Sequence, residues 1–221
     1  MKDVIENIEL INLFHDIKKE DLKIMFSCLG AYTKTYKKNE IIYLENHDIR
    51  FIGIILSGRV NMTKEDSNGN NSILAYLKIG DLFGETFACS NLTISKVSFV
   101  SANKCKILFI PFHKVLYTCK MTCTFHHRLI ENMIEYISTK NVMLMNKIEI
   151  ISKKTIREKI IAYLQLQREN FGCYDFEIEL GRVELAEYLC TDRSALTREL
   201  NKMKDERIIE FEKNRFKLLK I

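Results

Sequence analysis

GRVELAEYLCTDRSALTRELNKM, running from Gly181 to Met203, decides the reading of this 221-residue chain. It divides into two short helices around a tight turn. Val183, Leu185, Ala186 and Leu189 supply the apolar side of the first helix. Leu196, Leu200 and Met203 fall at i, i+4 and i+7 and line one face of the second. Asp192 stands where an N-cap oxygen is wanted, just before that second run. The opposite face carries Ser194, Thr197, Arg198 and Asn201, with Arg193 in the first turn. An apolar back, with short donors and two arginines toward the N-terminal end, suits a recognition helix. Such a helix packs on its own domain while its first turns reach base edges in a major groove. A helical hairpin in an ordinary core, its arginines merely solvated, has the same pattern.

The flanking sequence favours the first alternative. Downstream, Ile208-Ile209-Glu210-Phe211 and Phe216-Lys217-Leu218 read as two strands. Lys213-Asn214-Arg215 between them reads as a hairpin turn in which Asn tolerates positive φ. Two helices followed by a small hairpin with a basic tip make a winged helix-turn-helix. Upstream, the stretch from Gly172 to Leu180, with Asp175 to Leu180 alternating, reads as a strand, and Ile156 to Leu166 reads as a helix with Ile156, Ile160, Tyr163 and Leu164 inside.

Before that helix the pattern predicts a much longer one, from about Phe125 to about Ile151. Its stripe is Ile130, Ile134, Ile137, Asn141, Leu144, Ile148 and Ile151, spaced alternately four and three residues apart. This is a heptad seam with Ile134 and Asn141 at position a and Ile137, Leu144 and Ile151 at d. One polar a residue is a device for fixing register and two-strandedness, so the seam predicts a parallel homodimer. The competing reading packs the stripe on its own domain.

The N-terminal half has another character. Residues 1 to about 30 are helical in pattern, with Ile8, Ile11 and Leu13-Phe14 preceding Leu22, Met25, Phe26 and Leu29, and Gly30 as a stop. From Ala31 to Ile110 short apolar runs alternate with turn signals such as Ser57-Gly58, Asn68-Gly69 and Ile79-Gly80-Asp81. The runs are 40–44, 51–56, 60–63, 72–77, 97–100 and 107–110, a spacing that suggests a β-barrel or jelly roll.

Composition bounds the alternatives. Hydrophobic residues make up 47% and charged residues 29%, as in a soluble globular protein. No apolar run approaches the roughly 20 residues of a membrane span, and the N-terminus lacks the pattern of a secretory signal, so a cytoplasmic location without membrane is expected. The net charge of +5 agrees with a nucleic-acid partner without demanding one, since Glu184, Glu187, Glu199, Asp205 and Glu206 offset much of the local positive charge. Seven cysteines at irregular spacing do not make a disulfide framework. Enzyme readings find no Gly-x-Ser-x-Gly elbow, phosphate-binding loop or paired-carboxylate constellation, so no catalysis is expected.

Roll, long helix and winged head, in that order, resemble the Crp/Fnr family of bacterial transcription regulators, related to the cAMP receptor protein. The resemblance covers essentially the whole chain. It is carried by Ser57-Gly58-Arg59-Val60, Gly80-Asp81-Leu82-Phe83-Gly84-Glu85, Lys154 to Lys159, Glu184 to Leu189 and Asp192 to Arg198. The resemblance implies an α+β fold: a cyclic-nucleotide-binding-like β-roll over 1–124, a dimerisation helix over 125–151 and a winged helix-turn-helix over 152–221. It implies a homodimer on a palindromic duplex DNA operator, acting as activator or repressor with RNA polymerase as a further partner. Arg193 and Arg198 correspond to the family's base-reading arginines. Ser194 replaces a frequent acidic residue, so the operator differs from the family's commonest half-site. Cys190 replaces a frequent turn glycine and is strained if φ is positive there.

The effector is less determined. Gly84-Glu85 matches the first half of the family's nucleotide site, where backbone N–H groups suit a phosphate and the carboxylate a ribose hydroxyl. The expected Arg-Ser falls on Lys96-Val97, or on Ser95-Lys96 with a shift of one, and Lys lacks the bidentate fork. No cofactor is required. A second candidate is Cys119, Cys123 and His126 or His127, which share a face on a helix and offer thiolate and imidazole to zinc, iron or haem, or to a redox pair. A buried thiol patch with surface histidines is the plainer reading.

Overall fold

The computed structural model describes residues 8, 11–66, 71–90, 93–116 and 124–220. Asn68-Gly69, Cys119 and Cys123 lie outside them. Contacts divide the chain into two compact units, Met1–Ile137 and Ser138–Ile221.

In the first unit a 3-10 turn, Asn12–Phe14, precedes helix α1, Lys19–Leu29. Both fall where the sequence pattern puts its two pieces, Leu13-Phe14 in the turn and Leu22 to Leu29 in α1. No side chain caps the start of α1, and the chain around His15 and Asp16 turns, with Asp16 at φ +59°. Leu22, Met25, Phe26 and Leu29 put one face of α1 into the core, and Gly30 ends it at φ +66°, a left-handed stop.

Eight strands follow among the described residues: β1 Tyr32–Tyr36, β2 Ile41–Tyr43, β3 Phe51–Ser57, β4 Val60–Glu65, β5 Asn71–Leu77, β6 Leu82–Phe83, β7 Ser98–Ser101 and β8 Cys105–Pro111. Short helices α2, Glu85–Ala88, and α3, Phe112–Leu116, flank the last two. The strands form two antiparallel sheets, β1-β8-β3-β6 and β2-β7-β4-β5. This is the expected roll. Its interior is aromatic: Tyr43, Phe83, Phe99 and Phe109 meet with ring centroids 5.0–6.4 Å apart. Phe83 lies over Gly53, its register partner, so closely that a Cβ at Gly53 would fall 2.2 Å from the ring.

Helix α4, Thr124–Ile151, realises the long helix of the sequence within a residue. Leu129 and Met133 are buried in the first unit's core. Two polar groups fasten the helix there: Asn132 Nδ2 donates to the carbonyls of Leu13 (3.0 Å) and His15 (2.8 Å), and Tyr136 Oη accepts from the Leu82 amide (3.0 Å).

The second unit contains the rest of α4, then α5 Ile156–Phe171, β9 Asp175–Glu177, α6 Arg182–Tyr188, α7 Arg193–Asp205, β10 Ile209–Glu212 and β11 Arg215–Leu218. Helix α5 is a full turn longer than its apolar pattern suggests. Thr155 and Glu158 form a reciprocal capping box at its start, and Gly172 closes it at φ +66°. The wing is a three-stranded sheet, β10-β11-β9, over a core that includes Tyr163, Leu185, Leu189, Leu196, Leu200, Met203, Ile209 and Phe216. Val183 does not join that core. It is 50% exposed, since two residues before Leu185 it lies about 200° around the helix from that side chain.

Candidate nucleic-acid interface and sensor site

Helix α7 is anchored on one side and open on the other. Leu196, Leu200 and Met203 are fully buried, which fixes its rotation about its own axis. Asp192 Oδ1 accepts from the amides of Ser194 (2.8 Å) and Ala195 (3.0 Å). Those amides hold the Asp192 carboxyl below the ordinary carboxylate range, the Ala195 bond being the larger influence. Arg193, Ser194, Arg198 and Asn201 are exposed and Thr197 is half-buried, so the five predicted reading residues share one face. Thr197 Oγ1 donates back to the Arg193 carbonyl (2.9 Å).

The turn into α7 is tight. Cys190 has φ +49°, the left-handed conformation that its replacement of a turn glycine made a point of interest. Its amide donates to the Glu187 carbonyl (3.1 Å) and that of Thr191 to Ala186 (3.0 Å), while Lys159 Nζ reaches the Leu189 carbonyl (3.2 Å).

The wing turn corrects the sequence reading in one detail: positive φ falls on Lys213, at +51°, and not on Asn214. Glu212 pairs with Arg215, so the loop has two residues and Lys213 is the first of them, where one of the common hairpin turns requires φ above zero. Arg182, which the sequence reading passed over, holds this turn. Its Nη2 donates to the Lys213 carbonyl (3.0 Å), and its guanidinium lies over Phe211 (5.1 Å) and Phe216 (5.7 Å). Burial, and secondarily the charge of Arg193, lower the Arg182 pKa, yet a guanidinium remains charged. Lys204 of α7 lies over Phe211 as well, at 5.3 Å. The signal for these contacts was two wing phenylalanines facing a helix with a cation in its first turn.

In the first unit Gly84, at φ +80°, precedes α2, and a Cβ there would press on Ile49 Cγ2 at 3.1 Å. Thr86 Oγ1 donates to Glu85 Oε1 at 3.5 Å. Ser95 is fully buried, with its hydroxyl bonded to the Val97 carbonyl (2.6 Å) and amide (3.3 Å). Lys96 is exposed, and its carbonyl accepts from Lys64 Nζ (2.9 Å). Both pairs border the 47–51 stretch: the Ser95 amide donates to His47 and the Ile49 amide to Thr93. Cys89, behind α2, has a thiol pushed up to about 12 by burial.

Of the second candidate set, His126 and His127 are described. His127 is exposed, whereas His126 is 1% exposed and neither ring nitrogen has a hydrogen-bond partner among the described residues. A surface position for His126 is thus corrected, since its place on α4 turns it inward beside Leu129. No group of three or more metal-ligating side chains occurs among the described residues. No helix among them is long and apolar enough to cross a membrane.

An antiparallel roll and a winged helix-turn-helix in one chain define a transcription regulator with a sensor domain and a DNA-binding domain. Comparison with known proteins specifies the class. The cyclic nucleotide-binding domain matches residues 33–121 and the Crp-like helix-turn-helix domain residues 158–221. This chain belongs to the Crp/Fnr family of transcription regulators. It is 20% identical over 193 residues to the transcriptional activator protein FnrL of Cereibacter sphaeroides, covering 83% of this chain and 75% of that one. The fold is similar to that of a CooA mutant from Carboxydothermus hydrogenoformans, at a TM-score of 0.61 and 21% identity over 97% of this chain and 91% of the other. It is similar too to the c-di-GMP-responsive global regulator CLP of Xanthomonas campestris, at a TM-score of 0.61 and 14% identity over 91% and 99%.

Proposed function

We propose that this regulator works as a parallel homodimer, joined along α4, that reads an inverted-repeat operator with two α7 helices. Residues 1–124 sense a signal, 125–151 carry the dimer seam and 152–221 form the reading heads. One observation carries the proposal. In the single chain Ile134, Ile137, Leu144 and Ile148 of the seam are 61%, 40%, 59% and 62% exposed, a run of large aliphatic groups along one helix with Asn141, also exposed, among them. Two such stripes bury each other in a two-stranded coil. Ile130, half-buried against the first unit's core, and half-buried Ile151 sit at the ends of the stripe.

Arg193 and Arg198 read guanine edges, with Ser194, Thr197 and Asn201 completing the face. The signal shifts the balance between two head orientations about Ser152–Thr155, in the cytoplasm, and RNA polymerase is the machinery that responds. The test joins sedimentation with duplex selected from a random pool. The wild type sediments as a dimer, and Arg198→Ala loses roughly 1–3 kcal/mol of operator preference while keeping salt-sensitive binding to any duplex. A stable monomer, or unchanged preference, overturns the reading.

For the signal, Ser95 offers little to a nucleotide phosphate, since its hydroxyl is bonded to Val97. The buried imidazole of His126, without a hydrogen-bond partner among the described residues, supports the second reading, a metal, haem or thiol sensor using Cys119, Cys123, His126 and His127. Elemental analysis and an absorption spectrum of anaerobically purified protein test it: a metal-free, colourless product excludes metal and haem.

A further inference from the structure

The recognition helix is held from behind by an arrangement separate from the apolar contacts. Arg157 lies in the first turn of α5, directly after the Ser152–Thr155 link. Its Nε donates to Glu199 Oε1 at 2.5 Å, its Nη1 to Glu206 Oε2 at 2.6 Å and its Nη2 to Glu206 Oε1 at 3.0 Å. Glu199 follows Arg198 in α7, and Glu206 is the C-cap of α7. One guanidinium therefore grips the middle and the end of the reading helix at once. The side chains are 30%, 23% and 37% exposed for Arg157, Glu199 and Glu206.

Magnitude decides what such a clamp does. A partly exposed ion pair adds little to stability, whereas a planar, forked cation on a carboxylate fixes direction. The buried Leu196, Leu200 and Met203 fix the rotation of α7 about its own axis, and the Arg157 bonds add two fixed points along it, at Glu199 and at Glu206. The two carboxylates are seven residues apart along α7, about 10 Å at helical rise, and Arg157 bridges them with a group rooted next to the link. We infer that Arg157 is a positioning residue, which sets the tilt and axial position of the reading helix relative to the start of α5, so that Arg193 and Arg198 meet base edges in register.

The inference rests on the DNA-reading role proposed above and adds a determinant outside the reading face. Full-length wild type, Arg157→Ala, Arg157→Lys and the milder Glu206→Gln are titrated with the selected operator and with a scrambled duplex of equal length, all variants checked for wild-type circular dichroism. For Arg157→Ala, operator affinity falls about tenfold, the scale of one weakened bidentate base contact. Scrambled-duplex affinity stays within about twofold, because phosphate contacts tolerate a small tilt. Arg157→Lys recovers only part of the preference, since an ammonium is a point charge without the fork, and Glu206→Gln lies between the extremes. A purely structural role lowers both affinities together, and that outcome, or an unchanged ratio in Arg157→Ala and Glu206→Gln, overturns the inference. A wild type without preference for any duplex overturns the DNA-reading role itself and the clamp with it. A discriminating wild type beside equally discriminating variants overturns the clamp alone.

Discussion

Cys190 holds a backbone conformation that side chains other than glycine adopt at a cost. At φ +49° its Cβ crowds the neighbouring carbonyl, a penalty of about 1 kcal/mol against glycine. Cys190→Gly is therefore expected to raise unfolding free energy by about 0.5–1 kcal/mol in urea titration, with operator affinity unchanged because the turn's hydrogen bonds come from the backbone. Unaltered or lower stability would show that the Cys190 side chain has contacts that offset the strain. His126 supplies a second prediction. Burial first, then the charge of His127, keep its pKa below the ordinary 6.5, so the fold favours the neutral ring. As pH falls through 6.5 the unfolded chain gains its proton before the folded one, and stability drops until the folded pKa is passed. Urea midpoints at about pH 7.5 and about pH 5.5 should fall further for wild type than for His126→Leu. Equal slopes would mean that His126 is hydrated or paired in solution.

At the scale of elements, the seam on α4 makes the sharpest demand. Ile148→Glu places a charge in the C-terminal part of the proposed dimer contact while altering a side chain that is 62% exposed in the single chain. The expected result is a monomer by sedimentation at concentrations of about 10 μM, with helix content retained and operator affinity reduced by at least about tenfold, since each head then binds singly. A dimer of normal strength would place the contact elsewhere. The elements themselves differed in how plainly the sequence announced them. Helix α4, the strands around Phe51–Leu56 and Ile107–Ile110, and the α6–α7 pair follow directly from apolar spacing, because each buries one face or both. Strand β1 escaped separate recognition: Thr33, Lys34 and Thr35 break the alternation, and it belongs to the sheet through its register with β8. Strand β6 has two residues, too few for a period, and is held by β3. The last turn of α5 carries Gln167, Arg168 and Glu169, so its length is set by its caps and not by an apolar stripe. The exposed face of α7, with Arg193, Ser194, Thr197, Arg198 and Asn201 together on it, was legible residue by residue. Arg182 and Arg157 were not, because their partners lie 31 and 42 residues away.

For the whole molecule, charge and symmetry set how DNA is found and how it is recognised. A net charge of +5 is modest, so attraction at long range is weak, and in the proposed dimer discrimination falls on the geometry of its two heads. A two-fold dimer places its recognition helices about 34 Å apart, one turn of duplex, and accepts half-sites only at that phase. Inserting five base pairs between the half-sites moves one of them roughly half a turn around the duplex, where the second head cannot reach without twisting α4 or the DNA. Affinity should then fall to that of a duplex with one half-site scrambled, a loss on the order of 100-fold if the heads are joined at millimolar effective concentration. Ten inserted base pairs restore the facing direction but double the separation, and a short link at Ser152–Thr155 does not span another turn. Fluorescence anisotropy on the original, five-pair and ten-pair duplexes separates the cases. A rigid dimer loses affinity for both altered spacings. Heads on a loose tether lose it for five pairs and regain it for ten, and independent monomers bind all three alike, an outcome that would remove the dimer as the unit of recognition.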